Sequence, residues 1–541
     1  MSTSEAVSGT PAPAAVSGDW NAESVDAVSA GPRLSLVSSG ERPVFDLDDL
    51  DLYSVTPEVW DLIEKNNEPP KLFKLGQLIC RIEKEEDGPV SIQTVNTDRM
   101  RHVVAEVSKW AKRRYQFTSY GPPPVAITRD LLVYEDPPVP PITRITQVPV
   151  FDRKGRLIHA PGYDRNSHVY YDPCKNLEIP TVARHPIAEA SAAKQLLLDE
   201  MLVDFPFEGE ADRAHALAMI LQPFVREMIE GPTPLYAIDA SSPGSGKSLL
   251  AQCGTLIAHG DERSLLPPTD SEEEIRKRVF ATLQESTPVF QIDNQHRTLN
   301  SGVLAAVLTA YPTWKDRRLG VSETVCVPVR NTWIVTGNNL QLSEEMNRRA
   351  VRIRLVPDQG RPWERAQAAF RHSDLISWVR ENRDKLVWAA LTLINSWVYV
   401  GCPRSTKNLG SYEHWAALLG GIFEHVGVPG FLENREAQYE ALDAGSDDWT
   451  MLVNRWHEHF GEAEISAAQL LDIVIGPADA LFAEEPLLDL SGSDRGANAV
   501  SLGKQLGNKR DAIFGGFKIT KVPSRGHHSA RWKLIPVSLP T

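Results

Sequence analysis

Seven residues, Ser242-Pro-Gly-Ser-Gly-Lys-Ser248, combine the groups that can hold a polyphosphate. Glycines 244 and 246 let backbone N–H groups turn inward around phosphate oxygens. A helix opening at Lys247 adds its partial positive charge. The Lys247 ammonium would reach the β- and γ-phosphates, and the Ser248 hydroxyl would enter a Mg²⁺ shell. The expected cradle is Pro243, Gly244, Ser245, Gly246, Lys247, Ser248 and Leu249, with ATP and Mg²⁺ as its ligands. The strict pattern has Gly where this chain has Ser241, and a Gly-rich turn with an exposed lysine is the competing reading.

Downstream, the apolar run Pro288-Val-Phe-Gln-Ile ends in Asp293 and Asn294. Asp293 stands where a water-mediated contact to Mg²⁺ belongs. Asn294 stands where a Glu usually orients the attacking water. An amide can accept a hydrogen bond from water but cannot take its proton. Phosphoryl transfer has a loose transition state in which positioning and charge stabilisation carry most of the catalysis. The pair therefore predicts ATP binding with slow hydrolysis. Glu285 and Glu323 are the carboxylates near enough in sequence to substitute. Trp333-Ile-Val-Thr-Gly-Asn-Asn339 is a third apolar run ending in amides, and Asn347-Arg-Arg-Ala-Val-Arg-Ile-Arg354 follows it.

These residues need a scaffold that brings strand ends together. Strands are expected at 235–240, 289–292, 332–335 and 350–355. Helices are expected at 247–259, at 271–283 (opened by the capping box Ser271-Glu-Glu-Glu274) and at 299–310. Alternation of this kind predicts a mostly parallel, doubly wound α/β sheet, a P-loop core over 186–360. Thr313–Pro328 fills the gap before the third strand and is expected to be a hairpin. Around the core, 1–42 is rich in Ser, Ala, Gly and Pro and is expected to be disordered. Residues 43–185 suggest an α+β domain, with hairpins at Leu72–Cys80 and Val150–Ile158 and a basic-ended helix over Arg101–Tyr115. One long helical stretch is expected over Ile187–Ile229. Residues 361–460 are expected to be helical. Residues 461–541 run helix, helix, β-ribbon, the order of a winged helix. The last 41 residues hold eight cations against one acid, Asp511, inside a chain of net charge −14. Lys504, Lys509, Arg510 and Arg525 are expected to face duplex DNA, with Asn498–Lys509 as recognition helix and Pro523–His528 as wing.

Taken together, SSPGSGKS, SEEEIRKRVFATL leading into VFQIDN, TWKDRRLGVSE, WIVTGNN and NRRAVRIRL resemble the helicase-type AAA+ ATPases of phages, plasmids and integrated elements. These are superfamily-3-like and often primase-associated. Gly162-Tyr-Asp164, Leu409–Trp415 and Pro429–Leu432 are similar to the same group. The resemblance implies that Asn338, or second Asn339, contacts the γ-phosphate or the attacking water. It implies that Arg348 and Arg349 serve a neighbouring subunit's nucleotide as arginine fingers. It implies that Lys315, Arg317 and Arg318 on the hairpin grip single-stranded DNA in the pore of a homo-oligomer, a hexamer in such rings. Asp-Asn at the second strand is not unusual there. A primase is a candidate partner, since primase motifs are absent from the chain itself.

Bulk properties narrow the field. At 541 residues the chain is expected to hold several domains. Its acidity excludes general polyanion binding, so DNA contacts must be local. Five scattered cysteines lack CxxC or His spacing and predict reduced thiols. The N-terminus lacks a signal pattern and no apolar run is long enough to span a bilayer, so the expectation is a cytoplasmic protein with no membrane partner. Two function classes remain: an ATP-driven DNA helicase or translocase acting in replication of a mobile element, and an ATP-gated DNA-binding initiator, loader or regulator that does not unwind. A small-molecule P-loop kinase is disfavoured by the insert before the third strand and by the basic C-terminus.

Overall fold

The computed structural model describes residues 42–84, 90–114, 117–173, 177–260, 265–317, 324–357, 362–366, 370–475, 488, 490, 494–522 and 530–537. For 113, 363, 436–448, 508 and 513 it describes the backbone alone. The expected disordered tail, the wing at Pro523–His528, and Arg318, Glu323 and Arg525 lie outside the described residues.

The centre is a four-stranded, all-parallel sheet in the order Val289–Gln295, Thr332–Asn338, Leu235–Ala240, Ala350–Leu355. All six residues of Leu235–Ala240 are buried, as a strand covered on both faces requires. Period-two alternation splits the strand between two cores. Tyr236, Ile238 and Ala240 pack with the helices Glu210–Val225, Lys247–His259, Arg383–Tyr399 and Glu413–Val426. Leu235 and Ala237 pack with Phe290, Trp333 and the helices Glu272–Gln284 and Gly302–Val307. Loop backbone covers both sheet edges. Leu266 bridges Ile292 on one side, and Phe207 bridges Leu355 on the other.

The helix Lys247–His259 is fixed at both ends. Gly246 forms its N-cap, and the buried Arg383 guanidinium donates from Nε to the Leu256 and Ile257 carbonyls, 3.1 Å each. A cation on the last turn also complements the helix dipole.

Three expected elements differ. Arg101–Tyr115 is not one helix. Thr97–Val107 is helical, and Lys109–Arg114 is a strand paired with Val44–Asp46 and Phe117–Gly121, so tertiary pairing overrides helix propensity. Ile187–Ile229 is broken into Ile187–Gln195, a π-turn at Leu196–Met201, and Glu210–Val225. Pro206 and Gly209 interrupt it, with Asp212 accepting from the Gly209 N–H at 3.2 Å. The 299–310 helix contracts to Gly302–Val307, because Ser301 caps it by accepting from the Leu304 N–H.

At the C-terminal end, Ala467–Ile475 and Arg495–Asn508 cover a small sheet of Ile465–Ser466, Arg531–Pro536, Phe517–Val522 and Ile513–Phe514. Leu470, Leu502, Ile519, Trp532 and Leu534 form its core, joined by Trp449 and Trp456 from the helix Arg435–Phe460.

Candidate functional site

Three adjacent strands end at one edge of the sheet, and their last residues meet the loop 241–246. The order creates this meeting point. The chain leaves Leu235–Ala240 toward one side of the sheet and leaves Thr332–Asn338 toward the other, opening a crevice between their carboxyl ends. The loop itself needs glycine. Gly244 and Gly246 sit at φ +74° and +93°, a region closed to most side chains. The Ser245 hydroxyl donates to the Ser242 carbonyl at 2.6 Å and closes the turn.

Lys247 is buried, and its Nζ donates to Asn338 Oδ1 at 2.5 Å and to the Ser242 carbonyl at 3.4 Å. Burial pushes its pKa below the ordinary lysine value, against the opposing pull of Asp239 and Asp293. Ser248 donates from Oγ to Asp293 Oδ1 at 2.8 Å, and Thr336 Oγ1 donates to the same oxygen at 2.6 Å. The structure thus brings Lys247, Ser248, Asp293 and Asn338 together. A buried ammonium held by neutral acceptors suits an incoming anion, and a hydroxyl beside a carboxylate is a hard-oxygen donor pair suited to Mg²⁺. Among the described residues no cluster of three or more His, Cys, Asp or Glu could hold a metal. A Mg²⁺ here would take its remaining oxygens from phosphate and water.

Asn294 follows Asp293 at a bulge beside this cluster. It has φ +60°, lies in a register shift between Ile292 and Gln295, and is exposed. Gly337 makes room for the bulge, since a Cβ there would stand 2.5 Å from the Gln295 carbonyl oxygen. Beside the bulge, Gln295, His296, Thr298, Asn338, Asn339 and Gln341 line a cavity of about 480 Å³. Pro243 and Leu249 belong to the loop and the first helical turn, and Asn339 has φ +45° beyond the strand end.

Glu285 is placed at the wrong end to replace a Glu at 294. It caps the helix Glu272–Gln284, before the first residue of the strand whose last turn holds Asp293. Four residue steps along the strand separate Val289 from Asp293, roughly 13 Å.

Arg348 and Arg349 also lie at the opposite end of the sheet from the loop. The Arg349 carbonyl accepts from the Leu235 N–H at 2.9 Å, where the central strand begins. The strand spans roughly 17–20 Å. Neither arginine can therefore reach the loop of its own chain. Arg348 is exposed, with Glu345 at 3.9 Å, whereas the Arg349 side chain is largely buried.

The hairpin of Thr313–Arg317 and Thr324–Pro328 exposes Lys315 and Arg317 on one face. Asp316 points to the other, is buried, and accepts from Arg276 Nε at 2.8 and 2.9 Å, which fastens the hairpin to the helix Glu272–Gln284. In the C-terminal unit Lys504 and Arg510 are exposed, while Lys509 Nζ stands 5.6 Å from the Phe514 ring centre.

Sequence reasoning missed Asp239 and Thr336. Asp239 is 1% exposed, accepts from Arg354 at 2.6 Å, from Arg352 and from the Leu340 N–H at 2.8 Å, and so ties three strand ends together. The available signal was a lone acid inside the buried run Leu-Tyr-Ala-Ile-Asp-Ala, and a lone Thr inside Trp-Ile-Val-Thr-Gly.

No family model matches the chain, and no curated protein matches it. Among solved structures it is similar to the apo form A of the NrS-1 C-terminal region, with TM-score 0.36 and 12% identity over 89% of this chain and 98% of that one. It is also similar to the apo NrS-1 region 305–718, with TM-score 0.36 and 10% identity over 90% and 100%. A third similarity is to JCV helicase, with TM-score 0.22 and 16% identity over 45% of this chain and 67% of that one.

Proposed function

We propose that the chain is a P-loop ATPase that moves along DNA as a helicase-like ring, a hexamer, in the replication of a mobile element. The observation that carries the reading is the pairing of Lys247 with Asn338 and of Ser248 with Asp293 across the ends of three adjacent parallel strands. ATP would lie on the loop 243–248, its terminal phosphate at Lys247 and Asn338. Mg²⁺ would be held by Ser248 and Asp293 and supplies charge neutralisation on the phosphates. Arg348 would complete a neighbouring copy's site. Exposed Lys315 and Arg317 would grip single-stranded DNA, and the C-terminal unit would act as a winged helix on duplex DNA through Lys504, Lys509 and Arg510. The residue motifs shared with helicase-type AAA+ proteins support the same reading.

A second reading, an ATP-gated initiator or loader, is favoured by one observation: Asn294 is exposed and carries no proton-accepting group. One experiment separates the two. ATP turnover is measured with and without single-stranded DNA, alongside displacement of a labelled strand from a forked duplex. DNA-stimulated turnover with displacement supports the motor. ATP binding and oligomerisation without displacement supports the initiator. A wild-type chain that binds no ATP overturns both.

A further inference from the structure

We propose that the paired strands Lys109–Arg114 and Phe117–Gly121 form a second binding site for single-stranded nucleic acid, built from the Lys112 and Arg114 cations and the bare Phe117 ring. This goes beyond the proposed function, which assigns DNA contacts to the 313–328 hairpin and the C-terminal unit.

The stretch Lys-Trp-Ala-Lys-Arg-Arg-Tyr-Gln-Phe-Thr-Ser-Tyr-Gly carries four cations and no acid in a chain of net charge −14. Its two strands pair antiparallel, with Trp110 opposite Gly121, Lys112 opposite Ser119 and Arg114 opposite Phe117. The base of the ribbon is rooted. Trp110 is 2% exposed and stacks on Phe45 at 4.9 Å, and Ala111 is 1% exposed. Beyond them the ribbon leaves the core, and Lys112, Arg114, Phe117, Thr118, Ser119 and Tyr120 are all exposed.

Strand alternation places Lys112, Arg114 and Phe117 on one face and Tyr120 on the other. Lys112 makes one exposed ion pair, with Asp48 at 3.0 Å. Phe117 is 82% exposed and Tyr120 64% exposed, so neither ring serves the core. A single strand offers what this face lacks, a bare π-face for the Phe117 ring and phosphates for Lys112 and Arg114. A duplex hides its base faces, and an acidic peptide offers no regular stack.

The test uses the full chain without nucleotide. Fluorescence anisotropy measures binding to labelled dT20, to a 20-base-pair duplex and to anionic lipid vesicles. Substituting 5-iodouracil into the oligonucleotide allows photocrosslinks to be mapped by mass spectrometry. Phe117→Ala is expected to weaken dT20 binding about 5- to 50-fold, and Phe117→Tyr to keep it within about 3-fold. The Lys112→Ala/Arg114→Ala double variant should weaken dT20 binding and reduce its salt slope by about 1.4. Crosslinks should fall on Phe117. Unchanged dT20 affinity in both the Phe117→Ala and the double variant, or a loss confined to duplex or vesicles, overturns the proposal. Because no ATP is present, loss of ATP turnover with ribbon crosslinks intact refutes the motor and leaves this site standing.

Discussion

The Asn294 backbone N–H donates to Thr336 Oγ1 at 2.9 Å, and that hydroxyl in turn donates a hydrogen bond to Asp293 Oδ1 at 2.6 Å. One threonine therefore both holds the bulge and aims the carboxylate. The bulge puts residue 294 at φ +60°, where Asn and Gly are tolerated and a Glu is strained. An amide at this position thus has a backbone reason apart from any catalytic one. Asn294→Gly should preserve stability, and Asn294→Glu should cost about 1 kcal/mol in denaturant unfolding. Because the side chain faces solvent, Asn294→Glu should not raise ATP turnover. A several-fold rise would show that the bulge rearranges on nucleotide binding. Thr336→Val should destabilise by about 1–3 kcal/mol, since it orphans the Asn294 N–H and frees Asp293.

Lys247 and Asn338 should separate binding from chemistry. Lys247→Ala removes the buried ammonium and should abolish measurable ATP binding by isothermal titration. Asn338→Ala leaves the cation and removes its 2.5 Å acceptor. It should keep ATP affinity within about 3-fold while lowering kcat about 10²-fold, the size of one lost polar contact to developing charge. Equal losses in affinity for the two variants would mean that Asn338 only holds Lys247 in place.

Much of this site was legible because each piece has a local signature. The glycines at 244 and 246, the acid closing Val289–Ile292 and the amide closing Trp333–Gly337 all follow from composition at a strand end. What was not legible comes from the third dimension. Asp239 faces Arg354, 115 residues away, and Thr336 faces Asp293, 43 residues away. Lys109–Arg114 has the composition of a helix end and becomes a strand because Val44–Asp46 lies beside it. Glu285 is near Asp293 in sequence yet sits at the other end of the strand. Long-range pairing decides each of these, and no local propensity encodes it.

Gln295 bears on which group orients water in place of a Glu. It is 3% exposed, its Nε2 donates to the Arg297 carbonyl at 3.1 Å, and its Oε1 is a buried acceptor with no partner among the described residues. It lines the same cavity as Asn338. Gln295→Leu should lower kcat about 10- to 100-fold with KM for ATP little changed. A variant with unaltered kcat and a lowered melting temperature would assign Gln295 to the bulge alone.

The distance from Arg348 to its own loop makes a mixing experiment decisive. Arg348→Ala and Lys247→Ala should each be inactive alone if Arg348 serves a neighbour. Mixed in equal amounts, some interfaces join an intact Lys247 to an intact Arg348, so part of the ATP turnover should return. No recovery in co-assembled oligomers, verified by mass photometry, would place Arg348 outside the chemistry.

Stability against pH should turn on Asp212 and His215, which stand on one helix and lean in opposite directions. Burial lowers His215 from 6.5 to about 4, and the neutral ring donates from Nδ1 to the Arg352 carbonyl while Nε2 accepts from the Leu432 N–H. The unfolded chain binds this proton first, so the histidine's contribution is complete above pH 6.5 and is lost as pH falls toward 4. Burial raises Asp212 from 3.8 to about 6, although the Arg354 N–H donates to it at 2.7 Å. Here the folded chain binds the proton first, so its contribution is complete below pH 3.8 and is lost as pH rises through 6. Each shift corresponds to about 3 kcal/mol, and between pH 4 and 6 they offset. Asp212→Asn removes one side of that balance. Relative to wild type, urea unfolding of Asp212→Asn should lose about 3 kcal/mol between pH 6.5 and 4, and His215→Gln should gain a similar amount. Parallel pH profiles for wild type and both variants would show that neither group titrates within the fold.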